Sequence, residues 1–353
     1  MEKVLMKGNE AIAEAAIRAG CRHFYGYPIT PQTEVSAYMA KNMPKVGGLF
    51  MQAESEIAAI NMVYGSAAAG VRAMTSSSSP GISLKAEGIS YIAGADLPCV
   101  VMNIVRGGPG LGGIQPAQSD YFQATKGLAH GDFNLVVLAP SSIQECVDLT
   151  FEAFDIADQY RMPVMIMGDG MLGQMMEPVS FGEYKGRKLP EKDWATNGTG
   201  LKRKHNVVNS LYINPQELEE TVLRRAKMYE EIKRTEVKYE LYQVEDADII
   251  MVAYGTIGRI VKAAIAKARE EGIKVGLIRP ITLWPFPTDI ISEYANKAKA
   301  FISVEMSMGQ MVEDVKLAVN GKAKVDFYGR TGGVIPLPVE ILGKIKEVAG
   351  GIK

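Results

Sequence analysis

Two hydrophobic periods alternate along the first half of the chain. Short continuous apolar runs, such as CVVMNIV at 99–105, predict strands that are buried on both faces, as in a parallel sheet. Between such runs lie segments with helical spacing of their apolar residues, including 9–20, 55–70 and 141–160. Strands that alternate with helices of this length predict βαβ units. We therefore expect residues 1–180 to form an α/β domain with a doubly wound parallel sheet.

The pattern changes after this domain. Residues 181–245 are rich in Lys, Arg and Glu, and a single long charged helix is predicted from Pro215 to about Gln243. Its few apolar residues lie roughly on one side, which is typical of a connector packed on something else. Residues 246–353 again alternate strands and helices, with one strand at 300–305. They predict a second, smaller α/β domain.

Composition excludes several classes of protein. The chain has 353 residues, of which 47% are hydrophobic and 22% are charged, and its net charge is −1. These values are typical of a globular protein of about two domains, and the charge argues against a nucleic-acid partner. No apolar stretch is long enough for a membrane span, and no secretory signal is evident. The cysteines Cys21, Cys99 and Cys146 are widely spaced, so we expect free thiols in the cytoplasm and iron–sulfur clusters, if any, on another chain.

Two polar residues stand where predicted strands end. Thr30 belongs to the run 27–31, in which a strand (23–29) turns abruptly towards a helix. Its hydroxyl either faces a ligand, because ligands bind at the carboxyl ends of parallel strands, or only caps that helix. Arg106 leaves the most apolar strand into a glycine-rich loop. Its guanidinium either clamps a carboxylate with two hydrogen bonds or lies in solvent.

Acidic residues raise two further possibilities. Glu54 and Glu56 begin a helix that is otherwise poor in charge, where acids often only complement the helix dipole. Glu56, however, precedes a face that is predicted to be buried, and a buried carboxylate needs a specific partner. The run 168–170 (GDG) resembles the start of a diphosphate–magnesium motif with Asn197, but Gly198 stands where a second asparagine is required. We predict no metal site in this chain.

Several distinctive motifs follow one another along nearly the whole chain. They are YPITP at 27–31, QAESEIAAINMVYGSAAAG at 52–70, TSSSSPG at 75–81, NIVRGGPG at 103–110, QSDYFQATKGLAHGD at 118–132 and YGRTGG at 328–333. Together they resemble the α (pyrimidine-domain) subunit of 2-oxoacid:ferredoxin oxidoreductases. The loop RGGPGLGGIQP at 106–116 is most similar to the 2-oxoisovalerate, or branched-chain 2-ketoacid, type.

The resemblance implies a fold and a position for the cofactor. A thiamine-pyrimidine-binding domain would be followed by a connector and a transketolase C-terminal-like domain. Thiamine enzymes place a glutamate nine residues before the first glycine of a GxxxxG helix. Gly65 and Gly70 form that pair here, so the matching acid is Glu56 and not Glu54.

The resemblance also implies roles for the residues around Thr30. Thr30 and Arg106 would hold the 2-oxoacid, and Glu56 would hydrogen-bond the aminopyrimidine of the cofactor as the catalytic carboxylate. Pro28 and Ile29 would lie beside the same cofactor.

The implied activity is the thiamine-diphosphate-dependent oxidation of a 2-oxoacid to acyl-CoA and CO2, with coenzyme A as co-substrate and ferredoxin as electron acceptor. The resemblance assigns the diphosphate and Mg²⁺ to a β subunit, and implies γ and ferredoxin-like δ subunits, so that iron–sulfur clusters lie on other chains. The alternatives are the same complex acting on 2-oxoglutarate or pyruvate, a different thiamine enzyme, and a non-catalytic scaffold subunit. An NAD-dependent dehydrogenase is disfavoured because no glycine fingerprint opens the first βαβ unit.

Overall fold

A computed structural model describes residues 3–352, which form two mainly parallel sheets, a small antiparallel pair and the helices that cover them. In chain order the strands are β1 (Val4–Lys7), β2 (His23–Gly26), β3 (Leu49–Gln52), β4 (Ala73–Ser77), β5 (Cys99–Val105), β6 (Val136–Leu138), β7 (Pro163–Asp169), β8 (Met176–Val179), β9 (Tyr239–Tyr242), β10 (Ile249–Val252), β11 (Val275–Pro280), β12 (Thr282–Trp284), β13 (Ala300–Glu305) and β14 (Lys324–Gly329). The α-helices are α1 (Gly8–Arg18), α2 (Thr33–Asn42), α3 (Glu56–Ala68), α4 (Pro80–Gly94), α5 (Tyr121–Thr125), α6 (Ile143–Tyr160), α7 (Gly170–Gln174), α8 (Pro215–Thr235), α9 (Gly255–Glu270), α10 (Thr288–Tyr294), α11 (Met311–Val319) and α12 (Pro338–Gly351).

The first sheet has seven strands in the order β12-β6-β7-β5-β4-β2-β3. All pairs are parallel except β12 with β6. Helices α1, α2 and α6 cover one face, and α3 and α4 cover the other. Every residue of the central strand β5 is buried, which explains its continuous apolar run. The predicted doubly wound α/β fold is confirmed.

The second sheet has five strands in the order β14-β13-β10-β11-β9, with β9 antiparallel at one edge. Helices α9 and α12 pack on one face. On the other face, Val252 and Phe301 belong to the same apolar cluster as Val101 of the first sheet. The two sheets therefore share a core.

Strand β12 crosses from the second unit back into the first sheet. Thr282 pairs with Leu138 of β6, and the preceding strand β11 lies in the second sheet. Just before the crossing, Arg279 is buried and its Nη2 lies 2.6 Å from Glu145 of α6, while its Nε lies 2.6 Å from Glu240 of β9. The crossing is thus fixed by backbone pairing and by a buried cation shared between both units.

Three expectations from the sequence are wrong. Strand β2 ends at Gly26 and not at residue 29. Thr30 does not cap α2, because Gln32 occupies the N-cap position. The charged helix α8 ends at Thr235 and not near Gln243. The next residue, Glu236, accepts two hydrogen bonds from Arg187, at 2.6 and 2.7 Å. The chain then becomes β9, which pairs with β11.

An ion pair anchors helix α8 to the first unit. The Nε atom of buried Arg225, in α8, lies 2.8 Å from the carboxylate of Asp96.

Within residues 3–352, no helix is both long and apolar enough to cross a membrane.

Candidate active site

The carboxyl ends of β3, β2, β4 and β5 lie side by side, and the segments that follow β2, β3 and β5 carry the predicted site residues. Thr30 follows β2 and Arg106 follows β5. Glu56 begins α3 just after β3, the neighbour of β2 at the sheet edge. The sheet order therefore brings these residues to one edge, where doubly wound folds bind their ligands.

Arg106 connects two of the loops. Its side chain is 7% exposed, so the alternative of a guanidinium in solvent is wrong. Nη1 donates a hydrogen bond to the carbonyl oxygen of Thr30 at 2.9 Å, and Nη2 donates to that of Leu111 at 3.2 Å. Nε has no hydrogen-bond partner among the described residues. The arginine thus holds the Thr30 backbone in place and keeps one donor free, while the Thr30 side chain is exposed.

A buried polar network supports the Arg106 loop. The Ser79 hydroxyl donates to Asp120 Oδ2 at 2.7 Å, and Asn103 Nδ2 donates to the same oxygen at 3.0 Å. The Arg106 backbone N–H donates to the Ser79 hydroxyl at 3.1 Å. Burial raises the pKa of Asp120, and the two hydrogen bonds oppose that rise. Sequence reasoning gave these residues no role, although Asp120 lies within the quoted motif at 118–132.

Glu56 is the buried acid of the site. Its side chain is 4% exposed, whereas that of Glu54 is exposed. Ser55 is the N-cap of α3 and accepts a hydrogen bond from the backbone N–H of Ala58 at 3.1 Å, so Glu56 is not needed as a cap. The Glu56 carboxylate accepts no hydrogen bond from the part of the chain that the structure describes. An acceptor of this kind is available to a ligand.

Helix α4 approaches Glu56 closely because residue 81 is glycine. A Cβ atom built on Gly81 would lie 2.5 Å from Glu56 Oε1 and 2.0 Å from Ser77 Oγ. The hydroxyls of Ser77 and Ser78 are buried and have no partner within residues 3–352. The floor of the site is therefore polar, crowded and incompletely hydrogen-bonded.

Lys85 lies one turn further along α4, and its side chain is fully buried. Burial lowers the pKa of its ammonium to about 8, and the negative charge of Glu56 opposes this effect. We did not single out Lys85 from the sequence, because a lone lysine in a helix is normally exposed.

The other sequence candidates lie in two places. Pro28 is exposed and Ile29 is half-buried, in the same loop as Thr30. The Asp169 carboxylate caps α7, accepting from the backbone N–H groups of Met171 and Leu172 at 2.9 and 3.0 Å. Burial raises the pKa of Asp169, and a hydrogen bond from the Thr256 hydroxyl opposes the rise.

Asp169 and Asn197, the two candidate residues of the diphosphate–magnesium motif, contact different parts of the structure. Asn197 is exposed, and its side-chain oxygen accepts a hydrogen bond from Arg203 at 2.9 Å. Asp169 is instead engaged with its own helix and with Thr256. Across residues 3–352, no cluster of three His, Cys, Asp or Glu side chains is arranged to hold a metal ion.

The site lies on an open face of the molecule and not in a closed cavity. Exposed apolar side chains surround it: Tyr27, Met51, Ile57, Leu111 and Ile114. A cavity of about 800 Å³ lies elsewhere, between α8 and α10, and none of Thr30, Glu56 and Arg106 lines it.

The fold and the position of the site define the class of protein. A split-gene transketolase, an inactive β4 tetramer, superposes with a TM-score of 0.62 over 99% of both chains at 13% identity, so this is a transketolase-like α/β fold. A 2-oxoglutarate:ferredoxin oxidoreductase from Magnetococcus marinus, solved with 2-oxoglutarate, coenzyme A and succinyl-CoA, superposes with a TM-score of 0.87 at 28% identity. That match covers 98% of this chain but only 65% of the other.

Sequence comparison identifies the family. The model described as pyruvate flavodoxin/ferredoxin oxidoreductase, thiamine diphosphate-binding, matches residues 14–243, and that of the pyruvate:ferredoxin oxidoreductase core domain II matches 247–341. A ketoisovalerate oxidoreductase subunit of Methanothermobacter thermautotrophicus is 51% identical over 99% of both chains, and a 2-oxoglutarate synthase subunit of Methanocaldococcus jannaschii is 38% identical over 97% of this chain and 98% of its own. The chain belongs to the 2-oxoacid:ferredoxin oxidoreductase family, as the α-type, pyrimidine-domain subunit.

Proposed function

We propose that this chain is the α subunit of an enzyme that oxidatively decarboxylates a branched-chain 2-oxoacid, 2-oxoisovalerate. In the complete reaction a 2-oxoacid and coenzyme A give acyl-CoA and CO2, and two electrons pass to ferredoxin. The observation that carries the proposal is the buried Glu56 carboxylate, which accepts no hydrogen bond from residues 3–352 and lies at the ligand-binding edge of the sheet.

The residues of this chain fit the pyrimidine end of thiamine diphosphate. Glu56 offers a carboxylate acceptor on a residue that is 4% exposed, which suits a ring N–H. When bound, the cofactor supplies a nucleophilic carbon that stores electrons after decarboxylation. Glu56 would hold the proton at the ring nitrogen N1′ and would thereby control the protonation of the amino group across the ring. Pro28 and Ile29 would line the same pocket.

Thr30 and Arg106 are the proposed substrate-binding pair. Nε of Arg106 is buried and has no partner within the described residues, so it would donate to a carboxylate that enters the site beside it. The exposed Thr30 hydroxyl stands on the loop whose backbone Arg106 holds. A charged donor and a neutral hydroxyl would together orient the 2-oxoacid so that its carboxylate can leave as CO2.

The preference for a branched-chain substrate rests on the relatives. Two ketoisovalerate oxidoreductase subunits are 51% and 50% identical to this chain, whereas the 2-oxoglutarate synthase subunits are 37–38% identical. The loop RGGPGLGGIQP favours the same type. 2-Oxoglutarate and pyruvate remain the alternative substrates.

The open site supports the proposal that other subunits complete the enzyme. The exposed apolar side chains around it are suited to a partner surface. We propose a β subunit that holds the diphosphate and Mg²⁺, γ and ferredoxin-like δ subunits with iron–sulfur clusters, and ferredoxin as acceptor. The three cysteines are free and buried, which supports a cytoplasmic location.

The test uses the complex reconstituted from its native partners, with ferredoxin or a viologen dye as acceptor and a panel of 2-oxoacids. We expect 2-oxoisovalerate to give the highest kcat/KM. Glu56→Gln should lower turnover at least about 100-fold, since losing the proton contact costs several kcal/mol of barrier, while the exposed control Glu54→Gln should stay near wild type. Similar activity in Glu56→Gln and Glu54→Gln would refute the role of Glu56. Full activity of the complex after its α chain has lost the proposed site residues would favour the alternative of a non-catalytic scaffold subunit.

A further inference from the structure

Lys85 is a buried cation without a hydrogen-bond partner. Its side chain has no exposed surface, and its Nζ atom contacts no acceptor within residues 3–352. Lysine is almost never fully buried unless its charge is compensated. A specific neighbour must therefore offset its charge.

The packing of α4 on α3 identifies that neighbour. Gly81, Lys85 and Gly88 are spaced four and three residues apart, so they lie on one face of α4. A Cβ atom on Gly81 would meet Glu56 Oε1 at 2.5 Å, and one on Gly88 would meet Ile60 Cγ2 at 2.4 Å. Lys85 therefore lies on the face of α4 that contacts the first turns of α3, between the contacts with Glu56 and Ile60.

The charges of Lys85 and Glu56 interact without direct contact. Glu56 is the charged group whose field favours the protonated form of Lys85. No hydrogen bond joins the ammonium to the carboxylate, because Lys85 Nζ has no hydrogen-bond partner within residues 3–352. An interaction of this kind acts through low-dielectric protein or through a bridging water, and both are effective where bulk solvent is absent.

We propose that Lys85 is a positioning residue for Glu56. Its ammonium balances the charge of the buried carboxylate across the α3–α4 contact. It thereby holds the carboxylate in place at the edge of the sheet, where the aminopyrimidine is proposed to bind. This inference rests on the function proposed for Glu56, but its first test does not use the cofactor.

The first experiment is a double-mutant cycle on the full chain, without cofactor, at pH 7. The equilibrium constant of urea unfolding is measured for wild type, Glu56→Gln, Lys85→Met and the double variant. We expect Glu56→Gln to destabilise the wild-type chain about 10-fold more than it destabilises the Lys85→Met chain, because only the former retains a buried ammonium that loses its counter-charge. Glu54→Gln, the exposed control, should have the same effect in both backgrounds.

Equal effects of Glu56→Gln in the two backgrounds would overturn the proposal. Should Lys85→Met not fold, Lys85→Gln replaces it in the same cycle. If the unfolding cycle shows coupling but Glu56→Gln loses no turnover, the interaction between Lys85 and Glu56 is supported and the proposed catalytic role of Glu56 is rejected. Failure of this inference and failure of the proposed function are therefore distinguishable.

The second experiment measures the pH profile of kcat/KM in the reconstituted complex. Removing a buried positive charge favours the protonated form of the acidic groups near it, so the acid limb of the Lys85→Met profile should move to higher pH by about one unit. Lys85→Arg, which keeps the charge, should move it less. A purely structural role for Lys85 would lower activity by the same factor at every pH, and that result would reject the positioning role.

Discussion

At the scale of single residues, the site depends on side chains that have both a structural and a chemical task. Arg106 uses two donors for backbone carbonyls and keeps Nε free. Its proposed contact with the substrate is therefore built on a loop that Arg106 itself holds in place.

Substituting Arg106 tests both tasks. Arg106→Lys keeps the charge but loses the planar fork, so we expect KM for the 2-oxoacid to rise by about 10-fold or more, a loss of about 1–3 kcal/mol. The melting temperature should fall modestly, because one lysine cannot bond both carbonyls. Steady-state kinetics of the reconstituted complex and thermal unfolding of the chain measure the two effects, and an unchanged KM would contradict substrate binding by Arg106.

Thr30→Val belongs to the same test. The valine variant should raise KM by a smaller factor than Arg106→Lys does, because a neutral hydroxyl forms a weaker hydrogen bond with a carboxylate. It should leave the melting temperature unchanged, because Thr30 is not the cap of α2. Thr33→Val, which alters another exposed threonine nearby, serves as the control.

The depressed pKa of Lys85 makes stability depend on pH. The folded chain releases this proton near pH 8, whereas the unfolded chain retains it up to the ordinary value of 10.5. Between these values the unfolded state binds more protons, so the free energy of unfolding should rise with pH, by at most about 1.4 kcal/mol per unit. The buried ammonium of Lys85 lowers the free energy of unfolding by its full amount below pH 8, and this loss decreases as the pH rises above 8.

Urea unfolding at several pH values from 7 to about 10.5 measures this effect. Subtracting the Lys85→Met chain removes the titration of surface groups. A flat difference would mean that Lys85 has an ordinary pKa in the folded chain.

At the scale of elements, the contact between α3 and α4 positions Glu56. It depends on glycine at 81, since a methyl group there would displace Ser77 Oγ and Glu56 Oε1. Gly81→Ala should therefore lower turnover about 10-fold or more, with most of the fold retained. Gly343→Ala in α12 is the control, because its added methyl group meets nothing within 4 Å. Turnover assays and circular dichroism of both variants distinguish a displaced carboxylate from general unfolding.

Prediction from the sequence succeeded where the local pattern is strong. The strands at 99–105 and 300–305 have the predicted bounds, because continuous apolar runs between turns leave little ambiguity. The end of α8 was not predicted, because no glycine or proline separates the helix from the alternating polar and apolar residues at 237–242. Strand β12 could not be predicted, since three residues form a strand only when β6, far away in the chain, offers an edge.

The site was predicted unevenly for similar reasons. Glu56 could be proposed from the sequence because the resemblance to thiamine enzymes implies a fixed spacing between the acid and a glycine pair, here Gly65 and Gly70. Lys85 and Asp120 could not, because their burial comes from the packing of other elements, and the residue types alone indicate exposure.

At the scale of the whole molecule, we propose that the chain supplies one half of a cofactor site and that a partner supplies the other. Glu56 is the proposed contact for the pyrimidine end, whereas the Asp169 carboxylate caps α7 and no cluster of three His, Cys, Asp or Glu side chains within residues 3–352 is arranged to hold a metal ion. We predict that the isolated chain folds but is inactive and binds thiamine diphosphate weakly, even with Mg²⁺. Calorimetric titration of the chain, alone and with its partners, measures this, and tight Mg²⁺-dependent binding by the chain alone would contradict it.

The crossing of β12 limits how such chains can recombine. A chimera joined at residue 246 would take the first sheet from one parent and its edge strand from the other. Trp284 and Thr282 of the second parent would then have to pair with Val137 and Leu138 of the first. Arg279 would likewise have to meet a foreign Glu145. The start of the second unit along the chain is therefore not a free boundary for shuffling, because the two units share a strand pairing and a buried ion pair.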